Sequence, residues 1–152
     1  RNYFSLMPTN LYGYNDNYDL ESSHVLPALM HKIHLAKINN ENKITIWGSG
    51  TVKREFLYVD DLAEACSHLI KIGYNGPMLN VGTGNDITIT ELARKIMSIV
   101  GIDVNLNYDQ SFPDGTPRKV LDVSKINKLG WKATTSLEEG LMKVYKDKFM
   151  NK

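Results

Sequence analysis

Cysteine is almost absent from this chain of 152 residues, proline is sparse, and neither sign of charge dominates. The lone Cys66 can form no intrachain disulfide and no metal cluster, so the chain reads as a protein of a reducing, cytoplasmic setting. No apolar run approaches the ~20 residues that span a bilayer. Eighteen basic side chains face 17 acidic ones. That balance lacks the basic footprint of a nucleic-acid binder, so any anionic ligand must be met by a few placed cations. No repeat, low-complexity tract or Pro- or Ser-rich linker divides the chain. What is present is ordinary: 42% hydrophobic and 23% charged residues, enough apolar material for a buried core. The opening run RNYFSLMPTNLY enters a strand-like pattern without an initiating methionine, which predicts a piece of a longer protein.

Strand and helix patterns alternate, which predicts an α/β layered fold. Tyr3–Met7 alternates and is expected to form a strand that Pro8 stops. A polar loop over residues 12–22 precedes a helix from about Ser23 to Lys37, with Pro27 in its first turn. Ile44–Trp47 reads as a strand ended by Gly48-Ser49-Gly50, and Phe56–Val59 as a short extended stretch. Asp60 or Asp61 is expected to cap a helix to about Ile72, with Leu62, Cys66, Leu69 and Ile70 on or near one face. Met78–Val81 reads as a buried strand. Thr88 with Glu91, and Ser136 with Glu139, are spaced as capping boxes that open two further helices. Val104–Tyr108 and Val120–Val123 read as extended. The lysines at 143, 146, 148 and 152 read as a solvated face and tail, and His31 and His34 as surface residues.

Four segments carry groups suited to chemistry. Pro8-Thr9-Asn10-Leu11-Tyr12-Gly13 ends a strand, where open α/β sheets place ligands, although the run also suits a plain turn. His24, in Ser22-Ser23-His24, opens a helix whose positive end disfavours the imidazolium, so it is either a proton donor or acceptor or an exposed capping residue. Trp47 offers a stacking face, and Arg54, past a flexible glycine pair, offers a fork for a diphosphate. The competing readings are a core indole and an arginine paired with Asp60 or Asp61. In Pro113-Asp114-Gly115-Thr116-Pro117-Arg118-Lys119 a rigid turn presents an acceptor, Asp114, and a cation, Lys119; equally it is a turn and nothing more. Gly82-Thr83-Gly84 follows a strand but lacks the third glycine of the dinucleotide fingerprint, and Cys66 suits an apolar helix face better than a nucleophile's place.

The order PTNLYG, SSHVLPAL, IWGSGTVKREFLYVDDLA, LNVGTG with TITELA, and PDGTPRKVLDVSKINKLGW resembles the GDP-L-fucose synthases, extended short-chain dehydrogenase/reductases, over nearly the whole chain. The resemblance implies the substrate-binding lobe of such an enzyme plus elements of its Rossmann domain, with the amino-terminal half absent. Residues 1–13 and about 60–84 would belong to or pack on the coenzyme domain, leaving apolar surface exposed near Pro8 and Met78. It implies NADP-dependent conversion of GDP-4-dehydro-6-deoxy-D-mannose to GDP-L-fucose, by C3/C5 epimerisation and C4 ketone reduction, in a homodimeric parent. His24 matches the family's epimerisation acid and lies near the nicotinamide. Pro8, Thr9, Asn10 and Leu11 match the coenzyme-side loop. Lys32, Trp47, Arg54, Asp114 and Lys119 match contacts to the GDP-sugar. Lys32 stands where the family usually carries arginine, so a bidentate contact becomes a point charge, and Tyr14 replaces a common proline. The rival readings are a nucleotide-sugar 4-epimerase or 4,6-dehydratase of the same superfamily and a non-catalytic nucleotide-binding module.

Overall fold

The computed structural model describes residues 3–150. In chain order the elements are β1 (Leu6–Pro8), β2 (Asn10–Tyr12), α1 (Val25–Ile38), β3 (Lys43–Trp47), β4 (Lys53–Tyr58), α2 (Val59–Lys71), β5 (Leu79–Val81), β6 (Asp86–Thr88), α3 (Ile89–Val100), β7 (Asn105–Asp109), β8 (Arg118–Lys119), α4 (Ser124–Lys128) and α5 (Leu137–Tyr145), followed by a π-helical turn, Lys146–Met150. The chain is thus α/β, with three small sheets among the described residues. β1 pairs with β5, and β3 with β7, both in parallel. β4 is the hub of the third sheet. Its carboxyl half runs parallel to β2, whereas its amino half takes β6 antiparallel and β8 parallel.

Local chemistry explains the helix ends. Thr88 accepts from the Glu91 N–H while Glu91 accepts from the Thr88 N–H, the reciprocal cap read from the sequence. At Ser136 only half of the box forms. Its hydroxyl accepts from the Glu139 N–H, but the Glu139 carboxylate pairs with Lys143 at 2.9 Å.

Two apolar cores result. The larger joins α1, α3 and α5 to β3 and the aromatic side chains of β4, with Met30, Ile33, Leu92, Ile96 and Leu141 fully buried. The smaller gathers Leu57, Leu69, Leu79, Val81, Ile126 and Trp131, with Phe4, Leu6 and Leu11 partly buried against it. Two buried carboxylates fasten the cores together. Glu55 accepts from the N–H groups of Gly84 (2.7 Å) and Leu121 (2.8 Å). Asp61 accepts from the N–H and hydroxyl groups of Thr134 and Thr135. Gly82 is required here, because a Cβ would collide with Glu55 Oε1.

Several expectations fail for tertiary reasons. Pro8 belongs to β1, opposite Val81, where a two-stranded edge tolerates its missing N–H. Asn10–Tyr12 is a strand, since β4 is there to receive it. Asp86–Thr88 is a strand that periodicity could not reveal in three residues. Residues 120–123 hold no strand; the pairing falls at Arg118–Lys119. The cap of α2 is Tyr58 rather than Asp60 or Asp61, because Asp61 turns inward to the two threonines. The buried side of α2 is consequently Asp61, Ala65 and Leu69, with Cys66 half-buried and Ile70 68% exposed. His31 and His34 are half-buried instead of superficial. His31 Nδ1 lies 2.7 Å from the Tyr18 carbonyl, and His34 lies 3.1 Å from the Tyr145 hydroxyl with its ring 4.3 Å from that of Phe149 and tilted by 32°. Lys143 and Lys148 lie over the rings of Tyr58 and Tyr18; Lys152 lies outside the described residues.

Candidate functional site: two cavities joined at Arg54

The end of β3, the start of β4 and the turn after β7 meet over the first turns of α1. Gly48 adopts φ +76° beyond β3, and a Cβ there would strike Asp114 Oδ1. That close approach lets the Ser49 N–H donate to Asp114 at 2.7 Å, across 65 residues of sequence. The Ser49 amide, helped by Arg54, holds the Asp114 carboxyl below its usual pKa, so it stays ionised. Arg54 leaves β4 and uses Nη1 to bind the carbonyls of Lys53 and Thr116, both at 2.7 Å, while Nη2 reaches the Asp114 carbonyl at 3.4 Å. The guanidinium is fixed by main-chain acceptors. No carboxylate pairs with it among the described residues, and its Nε–H and one Nη2–H make no bond there.

Lys32, Trp47, Arg54 and Asp114 line one cavity of about 230 Å³, together with Ser23, Val25 and Leu29 of the α1 region. Lys32 Nζ lies 4.7 Å from the centre of the Trp47 ring, and burial lowers its pKa. Trp47 is half exposed, which removes the core reading of this indole. Ser23 Oγ is buried with no hydrogen-bond partner among the described residues.

A second cavity, of about 620 Å³, is lined by Thr9, Asn10, Leu11, Asp16, His24, Val25 and Arg54. Val25 and Arg54 line both. His24 is the N-cap residue of α1 in extended conformation, and its ring makes no capping bond. Thr9 Oγ1 and Asn10 Nδ2 both donate to the Glu55 carbonyl, at 3.2 and 2.7 Å, so this loop is held in place by the residue next to Arg54. Pro8 and Lys119 line neither cavity and are exposed; Lys119 sits opposite Arg54 in the β4–β8 pairing.

Two groups escaped the sequence reading. Glu55 had a legible signal, a carboxylate directly before the apolar run Phe56-Leu57-Tyr58, but its partners are distant in the chain. Ser23 had none, since an orphaned hydroxyl is visible only once its surroundings are. The Gly82-Thr83-Gly84 turn is no phosphate cradle. The Gly84 amide is already donated to Glu55.

This architecture opens space beyond a strand end and beside a helix start, where open α/β sheets place their ligands. Residues 1–82 match the NAD dependent epimerase/dehydratase family, and the chain belongs to that family. It is 50% identical over 140 residues to GDP-L-fucose synthase 1 of Arabidopsis thaliana, covering 91% of this chain and 43% of that protein. It is 48% identical over 154 residues to the GDP-L-fucose synthase of Escherichia coli strain K12, covering 95% of this chain and 48% of the other. A GDP-L-fucose synthetase from Naegleria fowleri solved bound to NADP superposes with a TM-score of 0.81 at 31% identity, covering 94% of this chain and 45% of that one. The chain therefore spans less than half the length of these relatives.

Proposed function

We propose that this chain binds a GDP-sugar across the two cavities and serves the conversion of GDP-4-dehydro-6-deoxy-D-mannose to GDP-L-fucose. The observation that carries this reading is an ordered set of groups: Trp47 and Asp114 at one end, Arg54 where the cavities meet, His24 at the other end. A base stacks on the indole, with Asp114 accepting from the nucleoside. The diphosphate takes the unengaged edge of Arg54, with Lys32 as a point charge and Lys119 as a cation just outside. The sugar then lies beside His24. Its C4 ketone acidifies C3–H and C5–H. At each carbon a base takes the proton, the C4 carbonyl holds the electron pair as an enolate, and His24 returns a proton on the opposite face.

Thr9, Asn10 and Leu11, continued by Pro8, form one wall for a nicotinamide coenzyme, and the Glu55 carbonyl keeps that wall in place. NADPH, when bound, supplies the hydride that reduces C4. This chain contains no Gly-x-Gly-x-x-Gly and no Tyr-x-x-x-Lys among its eight tyrosines. We infer that it does not reduce the ketone by itself, and measured NADPH-dependent turnover by the 152-residue chain would refute that.

Calorimetric titration tests the binding reading. GDP is expected to bind more tightly than UDP, and Trp47→Ala or Arg54→Ala each to lower GDP affinity about tenfold or more. Absence of GDP heat, or unchanged affinity in both variants, overturns it. In the full-length enzyme, His24→Asn is expected to abolish proton exchange at C3 and C5. Near-normal exchange would remove His24 from its role.

A further inference from the structure

The first cavity is too small for what it is asked to hold. At about 230 Å³ it falls below the ~300–1,000 Å³ of ordinary small-ligand sites. Next to the cavity's Pro113, Phe112 takes up one face of the cavity's Trp47, while Lys32 lies over the ring from the cavity side. Phe112 lies flat on Trp47, ring centres 4.3 Å apart and planes inclined by 6°. Seating a base between the two rings requires about 7 Å, twice the ~3.5 Å contact distance. The face of Trp47 under Phe112 is therefore closed in this conformation.

The backbone around Phe112 is tethered at both ends and loose between them. Asp109 accepts from the Ser111 N–H and hydroxyl on one side, and Asp114 is tied to Ser49 on the other. Within Gln110–Pro113 the remaining backbone bond is a long one, Phe112 N–H to the Asp109 carbonyl at 3.4 Å. All four of these residues are exposed. The Phe112 ring is thus held mainly by its stack on the indole, a contact that another flat ring can replace at little net cost.

We propose that Phe112 is a second base-contacting residue: its ring leaves its stack on Trp47 and moves onto the outer face of an entering purine, so the base is clasped between two rings. The two stacks made replace the one lost. A purine, with its larger π-surface, gains more from the clasp than a pyrimidine does, which makes Phe112 a determinant of GDP over UDP. This inference rests on the GDP-sugar reading above.

The test compares GDP and UDP binding by the chain and its Phe112→Ala, Phe112→Leu and Phe112→Tyr variants. Trp47 fluorescence is recorded alongside; the other tryptophan, Trp131, is buried in the smaller core. Phe112→Ala and Phe112→Leu are expected to weaken GDP about five- to tenfold, the lower part of what base–aromatic stacking contributes. They are also expected to narrow the GDP/UDP ratio, and Phe112→Tyr to restore both. In the wild type GDP is expected to change Trp47 emission. If the wild type binds GDP while Phe112→Ala binds it equally well or more tightly, Phe112 is only a cover, and the clasp is wrong while the site stands. If the wild type binds no GDP, the site reading falls and takes the clasp with it.

Discussion

The two cores of this chain are finished differently. The larger is closed on its own terms: three helices enclose Met30, Ile33, Leu92 and Ile96, and its open polar rim supplies Lys32, Trp47, Arg54 and Asp114. The smaller is thin, and Met7, Ile70, Ile72 and Met78 around it stand at 46–68% exposure, although Ile38 and Met142 beside the larger core are as exposed. The contrast separates two requirements. A site needs side chains held at fixed positions, and those sit on the thicker core. The smaller core sets the path of the chain through Thr9 and Asn10 and presents apolar area outward.

The sharpest way to break this division is at the join. Glu55→Ala orphans the Gly84 and Leu121 amides together and is expected to cost about 3–5 kcal/mol in urea unfolding. Glu55→Gln, which keeps one acceptor oxygen, loses less. A change under about 1 kcal/mol in Glu55→Ala would mean the cores hold together without it. Next in size, Leu69→Ala in the smaller core is expected to cost about 2–5 kcal/mol, yet to leave GDP affinity of the folded protein unchanged. An equal loss of affinity would show that the two cores act as one.

A pH dependence belongs to the larger core. Burial first, then His31 and Lys37, lower the pKa of His34 below its ordinary 6.5 in the folded chain. The unfolded chain therefore binds this proton more readily. Stability is full above about pH 6.5 and falls as pH drops below it through the depressed folded value. Unfolding midpoints at pH 7.5 and pH 5.5 are expected to converge in His34→Gln relative to wild type. An unchanged difference would clear His34. Smallest of all, Lys143→Met removes an exposed pair with Glu139 and a contact over the Tyr58 ring, and is expected to leave the urea unfolding midpoint nearly unchanged.

How much of this was legible in the residues varies with the range of the forces involved. The cap at Thr88–Glu91, the stop at Gly101 and the place of Pro27 involve groups within a few positions of one another, and they read off directly. The inward side of α2 did not. Ile70 looks as apolar as Leu69, and only the threonines beyond Trp131 decide that Asp61 is buried and Ile70 exposed. His34 likewise gave no hint of Phe149, 115 positions on, beneath its ring.

By itself the sequence determined the alternation of elements, their main caps and the family, because periodicity, capping and motif order are properties of neighbours in the chain. Only the tertiary structure decided that Ser49 would meet Asp114, that Arg54 would be fixed by carbonyls rather than a carboxylate, and that Phe112 would cover Trp47. Those outcomes depend on parallel pairings such as β3 with β7, which bring distant segments into register and which no local pattern encodes.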